Sequence, residues 1–208
     1  MIQSDTLMMF FVASILLALA PGPDNIFVVT MAALRGSIAG LIVTLGLCTG
    51  LVVHTTVVAL GIATLFHTSM TAFTILKTIG ALYLLYLAWL AFRNKKEEAQ
   101  VDRKTNYSRW KLYCRGIIMN VTNPKVSIFF LAFLPQFVNP GNGRLTLQFL
   151  ILGGVFIIST ILVFGVIAVL AGVLGKQLIN SDRMKRTMNW IAGTVFIALA
   201  LKLVTTER

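Results

Sequence analysis

The chain has 208 residues, of which 57% are hydrophobic and only 12% are charged, and its formal net charge is +11. A soluble domain carries about 25% charged residues, so this composition excludes an ordinary soluble protein and indicates a membrane protein. A positive net charge is also common in nucleic-acid-binding proteins, but no recognisable fold that would present a basic patch to nucleic acid is evident. We therefore expect a lipid bilayer and no nucleic acid as partner.

Six apolar segments follow one another along the chain: 6–34, 37–66, 69–92, 112–138, 145–175 and 187–205. Each is longer than the roughly 18 residues that cross the hydrocarbon layer of a bilayer. We therefore predict an all-α integral membrane protein with six transmembrane helices. The longest polar stretch, 93–111, is predicted to be a basic cytoplasmic linker between a first three-helix repeat, 1–92, and a second, 112–208.

The first segment contains a small-residue stretch, 18–20, that resembles the cleavage site of a secretory signal. A signal peptide begins with a positively charged region, whereas residues 1–5 include no basic residue. The apolar character also continues beyond residue 25. We expect this segment to be retained as a membrane span.

A proline-rich motif interrupts the same segment at Pro21, Gly22, Pro23, Asp24 and Asn25. Proline has no amide donor and blocks the helical hydrogen bond at its position, so backbone groups are freed there. Freed groups at membrane depth are tolerated only where they are buried in protein or line a cavity. The motif predicts a broken first helix whose charged residue faces the protein interior.

The fourth segment is interrupted in the same way, by Asn123, Pro124 and Lys125. At 1.5 Å per residue, Asp24 lies about 16 Å from Arg35 and Lys125 about 15 Å from Arg115, so both approach the bilayer midplane. Three helices per repeat make the second repeat enter the membrane from the opposite side, which predicts inverted repeats. Paired helix breaks in corresponding halves indicate a transport site.

The distribution of basic residues predicts the sidedness of the protein. Most of the 18 basic residues fall in the connections that follow the first, third and fifth segments. Basic residues in short loops mark the cytoplasmic side, so both termini are predicted to be periplasmic or extracellular. We also expect the basic side to contact anionic lipid headgroups.

The two break motifs belong to a longer series of characteristic segments: 20–25, 35–36, 45–46, 76–77, 80–81, 83–85, 120–125, 129–130 and 133–137, with Gly50 and His54. On these residues, and over nearly its whole length, the sequence resembles the LysE/RhtB family of bacterial amino-acid exporters. The resemblance implies a secondary transporter, not an enzyme, in the bacterial inner membrane. It also implies efflux of amino acids or related small metabolites, driven by exchange for protons.

Ten residues are candidates for substrate binding: Pro21, Gly22, Pro23, Asp24, Asn25, Lys77, Asn123, Pro124, Lys125 and Gln136. Freed amides and the helix N-terminus after the first break favour a substrate carboxylate, which Lys125 would supplement. Asp24 would bind a substrate ammonium or carry a proton, and the sequence leaves both roles open. The asparagine amides suit a zwitterion because they both donate and accept.

The positions of Lys77, Gln136 and His54 along their spans predict where these residues lie in the membrane. Lys77 and Gln136 are expected to line the outer half of the path. His54 is predicted to lie near the outer end of the second span, about 28 Å from Arg35. There it would be a polar residue of the membrane interface.

Two alternative functions stay open at this point. A passive channel for a small solute or ion would also have polar residues in its interior. A membrane thiol–disulfide oxidoreductase would use one cysteine per half, but Cys48 and Cys114 differ in depth and form no C-x-x-C motif.

No cofactor is expected, and no cluster has metal-ligand spacing. The small-residue pattern of Gly46 and Gly50 suits close helix packing, either within one chain or in a homo-oligomer.

Overall fold

The computed structural model describes residues 2–68, 70–93, 107–174 and 182–205, and the regular structure in these ranges is helical. The first half contains α1 (Ser4–Leu19), α2 (Pro23–Arg35), α3 (Ser37–Thr68) and α4 (Met70–Phe92). The second half contains α5 (Arg109–Val121), α6 (Pro124–Ile128), α7 (Leu145–Leu174) and α8 (Asp182–Thr205). Between α6 and α7 the chain forms a π-helical turn, Phe129–Phe133, and two 3-10 turns, Leu134–Phe137 and Pro140–Asn142.

Both predicted helix breaks are present. α1 and α2 meet at an angle of 63°, and α5 meets the segment Pro124–Phe137 at 49°. A proline begins each second half-helix, where a missing amide hydrogen costs nothing because no intrahelical partner exists there.

Two helices, α3 and α7, are long and apolar enough to cross a membrane, and the count rises to four if each bent pair is one span. The described apolar parts of α4 and α8 are shorter, Lys77–Phe92 and Asn189–Thr205. Most of the predicted basic linker, 94–106, lies outside the described residues, and so does 175–181. α5 begins at Arg109, three residues before the predicted fourth segment.

The helices pack in a pattern that relates the two halves. α3 lies along α5, and α7 lies along α1 and α2, while α3 and α7 also pack on each other. α4 and α8 form a second pair, in which α4 contacts the π-helical turn and α8 contacts α1. Every broken helix therefore rests on the long helix of the other half.

The crossing of α3 and α5 is close enough for their backbones to touch. A Cβ atom added to Gly46 would lie 3.0 Å from the Cα atom of Gly116, and one added to Gly116 would lie 3.1 Å from the Cα atom of Gly46. Only glycine permits this approach. The small-residue pattern of the second segment thus serves packing within the chain.

Two hydrophobic clusters make up the core, and polar residues lie between them. One cluster is built around phenylalanines: Phe10, Phe129, Phe130, Phe133, Phe137, Phe149, Phe156 and Phe196. The other gathers α2 with parts of α3 and α7. α7 contributes Phe156 to the first cluster and Val163 to the second, and its middle residues Ser159 and Thr160 are buried between them. The break between α1 and α2 lies at this same boundary.

Candidate functional site

The two helix breaks meet in the interior of the protein, and Lys125 joins them. Pro21 has no amide hydrogen, so the Leu17 carbonyl at the end of α1 loses its helical donor. The Lys125 Nζ atom donates to the Leu17 carbonyl at 3.4 Å and to the Ala20 carbonyl at 2.8 Å. The ammonium group, on a side chain that is 7% exposed, therefore caps the end of α1 from the second half of the chain.

Gly22 makes room for this ammonium group. A Cβ atom at Gly22 would lie 3.2 Å from the Lys125 Nζ atom, closer than an ordinary van der Waals contact. The φ angle of Gly22 is −177°, which is extended backbone that any residue adopts. The glycine is therefore suited to this position by its lack of a side chain.

Asp24 lies in the first turn of α2 and is 3% exposed. The Asn120 Nδ2 atom donates to its Oδ2 atom at 3.3 Å, and Lys125 lies close enough to interact with the carboxylate electrostatically. The partial positive charge of the helix N-terminus also favours a carboxylate here. Its Oδ1 atom has no hydrogen-bond partner among the described residues.

In the side-chain amides of Asn25 and Asn123, only one of the two polar atoms makes a hydrogen bond within the described residues. The Asn25 Nδ2 atom donates to the Ala18 carbonyl at 2.6 Å, and the Asn123 Oδ1 atom caps α6 by accepting from the Lys125 amide at 3.0 Å. The Asn25 Oδ1 atom and the Asn123 Nδ2 atom have no partner within the described part of the chain, although Asn123 lies beside the Asp24 carboxylate. Around the two charges, both a hydrogen-bond acceptor and a hydrogen-bond donor are thus buried without partners among the described residues.

Asn120 belongs to this group, although its role was missed from the sequence. It is 2% exposed, and its side chain fits against Gly50 of α3, where a Cβ atom would lie 2.6 Å from the Asn120 Oδ1 atom. Its position one helical turn before Asn123 was the available signal, since both then lie on one face of the broken helix.

His54, which was predicted to lie near the outer end of its span, contacts the group of residues around Asp24. The His54 Nε2 atom lies 3.1 Å from the Asn120 carbonyl oxygen, beside the group around Asp24. α3 has 32 residues, so a residue 18 positions from its start lies just past its middle.

Two of the ten predicted residues make their described contacts elsewhere. The Lys77 Nζ atom donates to the Val204 carbonyl of α8 at 3.3 Å. The Gln136 Nε2 atom donates to the Ala132 carbonyl in its own turn at 3.4 Å. The other eight residues lie in or next to the two breaks. The binding role of all ten remains a prediction.

The described residues contain no group of three or more His, Cys, Asp or Glu side chains that could hold a metal ion. Cys48 is buried and Cys114 is partly buried, and both are free thiols. What the site offers is one buried cation, one buried anion and amide groups with unused hydrogen-bonding capacity. Groups of this kind form ion pairs and hydrogen bonds with small polar molecules.

Comparison with known proteins gives matches over nearly the whole chain. The profile of the family described as "LysE type translocator" matches residues 15–207. The "Homoserine/homoserine lactone efflux protein" of Salmonella typhimurium is 34% identical over 202 residues, covering 94% of both chains. The protein of the same name from Salmonella typhi is 34% identical over 199 residues, with the same coverage.

A third relative has no function in its name. The "Uncharacterized membrane protein" of Vibrio cholerae is 31% identical over 199 residues, covering 95% of this chain and 96% of its own. No solved structure matches the chain.

Proposed function

The chain belongs to the LysE type translocator family, and on this premise we propose that it exports homoserine and similar amino acids in exchange for protons. The protein is an integral membrane protein with several spans, and its activity is transport. The relatives named as homoserine and homoserine lactone efflux proteins suggest the substrate class. The bacterial inner membrane is the location in which such export has a proton gradient to use.

The observation that carries this proposal is the set of unpartnered polar atoms beside the two buried charges. The Asp24 Oδ1 and Asn25 Oδ1 atoms accept hydrogen bonds, and the Asn123 Nδ2 atom donates one. Together with the Lys125 ammonium they complement an amino-acid zwitterion. The substrate ammonium binds Asp24, and the substrate carboxylate binds Lys125 and Asn123. A lactone keeps the ammonium and offers its carbonyl oxygen to the same donors.

Lys125 can exchange its carbonyl partners for a substrate carboxylate. Its ammonium group satisfies the Leu17 and Ala20 carbonyls, which would otherwise be buried without donors. Its long flexible side chain can turn toward a substrate carboxylate. The substrate ammonium then takes over the freed carbonyls and the negative charge of Asp24, so the number of buried charges without partners does not rise.

Six spans in two inverted repeats are the arrangement that we propose for the membrane. α4 and α8 have 23 and 24 residues, enough at 1.5 Å per residue to cross a layer of about 30 Å. The packing of α5 on α3 and of α1 on α7, with α3–α7 and α4–α8 as mutual pairs, is consistent with exchange of the two halves by a twofold axis. The basic loops then face the cytoplasm and both termini face outward.

Uptake into everted membrane vesicles tests the proposal. The vesicles are prepared with an acidic interior and receive labelled homoserine, homoserine lactone and a panel of other amino acids. We expect gradient-dependent accumulation of homoserine, abolished by a protonophore and absent from vesicles without the protein. Equilibration without accumulation would favour a passive channel, and no uptake of any compound by vesicles shown to contain the protein would refute amino-acid export.

A further inference from the structure

His54 is the polar side chain beside the site that the proposed binding scheme leaves without a role. Its ring is partly buried and packs against Phe130, with the ring centroids 5.6 Å apart. Its Nε2 atom lies 3.1 Å from the Asn120 carbonyl oxygen. A carbonyl oxygen only accepts, so the Nε2 atom carries a hydrogen and donates it. The Nδ1 atom is therefore the one that gains or loses a proton.

Asn120 connects this ring to the charged part of the site. The backbone carbonyl of Asn120 accepts from His54, and its side-chain Nδ2 atom donates to the Asp24 Oδ2 atom at 3.3 Å. His54 also lies close enough to interact with Asp24 electrostatically. A positive charge on the ring is therefore felt at the carboxylate that we propose for the substrate ammonium.

The other titratable groups near His54 come from the helices that pack around α3. α7 and the π-helical turn contain no titratable side chain. α2 contributes Asp24, and α6 contributes Lys125, which interacts with Asp24. On α5, the Tyr113 hydroxyl bonds the Thr49 hydroxyl at 2.8 Å, more than one helical turn before His54. The remaining groups of α2 and α5 are Arg35, Arg109, Lys111, Cys114 and Arg115. α4, which also packs on α3 and on the π-helical turn, contributes Lys77, Tyr83 and Tyr86.

We propose that His54 couples proton movement to substrate movement, because its imidazolium form and the substrate ammonium compete for the negative charge of Asp24. The inference rests on the proposed function. When the site faces the acidic side, the Nδ1 atom takes up a proton and the substrate ammonium leaves. When the site faces the other side, the proton departs and an incoming ammonium takes its place. One proton then moves inward for each substrate that moves outward.

The test uses the purified full-length protein in liposomes with labelled homoserine, and two assays. Counterflow measures exchange of substrate for substrate and needs no proton gradient, whereas uptake into acid-loaded liposomes does. The variant is His54→Gln, whose amide still donates to the Asn120 carbonyl but does not ionise. The control is His67→Gln, which changes the second of the two histidines of the chain.

We expect His54→Gln to keep counterflow within about twofold of wild type and to lose gradient-driven uptake at least tenfold. We also expect the Kd of the wild type for homoserine to rise at least tenfold from pH 8 to pH 5.5, and that of His54→Gln to change less than twofold. His67→Gln is expected to match wild type in both transport assays and in the pH dependence of the Kd.

Gradient-driven uptake by His54→Gln within twofold of wild type would overturn the inference. If this variant fails in both transport assays, its binding decides: a pH-independent Kd supports the coupling role, and a Kd that follows the wild-type pH profile overturns it. His54→Asn is a second variant for the same binding assay if His54→Gln does not fold. If wild-type protein catalyses no counterflow, the proposed function fails and the coupling role falls with it.

Discussion

The charged residues of the site occupy helix ends that suit their signs. Asp24 lies at the N-terminus of α2, where free amides carry a partial positive charge, and the Lys125 ammonium lies on the last carbonyls of α1, which carry a partial negative one. An isolated charge in the membrane interior costs at least about 2.5 kcal/mol. The broken helix therefore stabilises both charges, and the Asp24 Oδ1 atom has no hydrogen-bond partner among the described residues.

The stability of the protein is expected to depend on having both charges together. Lys125→Met leaves Asp24 without its cation and the Ala20 carbonyl without a donor. Removing one member of a buried charge pair costs about 3–5 kcal/mol, so the midpoint of thermal unfolding should fall by about 6–20 °C. The double variant Asp24→Asn/Lys125→Met should recover most of this loss while transport stays abolished. If the double variant is no more stable than Lys125→Met, the charges of Asp24 and Lys125 do not stabilise each other in the folded protein.

The contact between Gly50 and Asn120 gives a way to disturb the site with one methyl group. In Gly50→Ala the new Cβ atom would lie 2.6 Å from the Asn120 Oδ1 atom, so Asn120 must move away from Asp24. Displacements of about 1 Å at such sites cost up to 100-fold in rate, and we expect counterflow to fall about 10- to 100-fold.

The matched control for this change is Gly61→Ala in the same helix, where a Cβ atom meets nothing within 4 Å. It should transport like wild type. Equal rates for the two alanine variants would show that the position of Asn120 does not matter for transport.

At the residue scale, sequence reasoning located the breaks but not all of their neighbours. Proline marks a missing donor wherever it occurs, so Pro21 and Pro124 identify the freed carbonyls without any structure. The contacts of Asn120 with Gly50 and His54 depend on how α5 is aligned along α3. That alignment is set by packing between distant segments, which one sequence does not reveal.

At the element scale, the crossing of α3 and α5 holds half of the site in place. Val in place of Gly46 would collide with the backbone around Gly116 and separate the two helices. Overpacking of this kind costs about 1–3 kcal/mol, so the unfolding midpoint of Gly46→Val should fall by about 2–12 °C. Gly154→Val, on the open side of α7, should leave the midpoint within about 2 °C. A similar change in both variants would contradict the role of the crossing.

In the fourth predicted segment, the hydrophobic pattern does not reveal the changes of helix type that follow the break. The segment 112–138 was expected to break once, at Pro124. The structure continues through a π-helical turn and then a 3-10 turn that contains Pro135. Pro135 has no amide hydrogen for the Leu131 carbonyl, and a widened turn is one way for the chain to accommodate this. Local hydrogen bonding of this kind leaves the apolar pattern unchanged.

At the scale of the whole molecule, the break between α1 and α2 lies where the two hydrophobic clusters meet. Ser159 and Thr160 are the central residues of α7, and the clusters separate at their level. Each cluster contains side chains from both halves. A polar layer between two apolar clusters is consistent with the proposed transport site near the middle of the membrane.

The proposed six-span topology predicts which loops a reagent reaches from outside the cell. In a background with Cys48→Ser and Cys114→Ser, a membrane-impermeant maleimide should label Gln3→Cys and Asn142→Cys in intact spheroplasts. Ser108→Cys, at the start of α5, should be labelled only after the membrane is permeabilised. The proposed orientation follows from the basic residues of the loops. The opposite pattern, or labelling of Gln3→Cys and Asn142→Cys on different sides, would contradict the topology.

Family membership and transport were predicted from motifs and are confirmed by the matches over residues 15–207. The all-helical fold and the bent helices are confirmed as well, whereas the inverted six-span arrangement stays a prediction. Apolar length alone does not say which helices pair, because lipid-facing and protein-facing surfaces are both apolar in a membrane protein.

The central claim is that Asp24 binds the ammonium group of an amino-acid substrate between the two breaks. The most direct measurement is competition against labelled homoserine by unlabelled homoserine and N-acetylhomoserine, which has no ammonium, on purified wild type and Asp24→Asn. We predict that wild type rejects the acetylated compound at least 100-fold and that Asp24→Asn narrows this ratio to less than tenfold. Equal competition by both compounds in wild type, or full discrimination retained by Asp24→Asn, would contradict the claim.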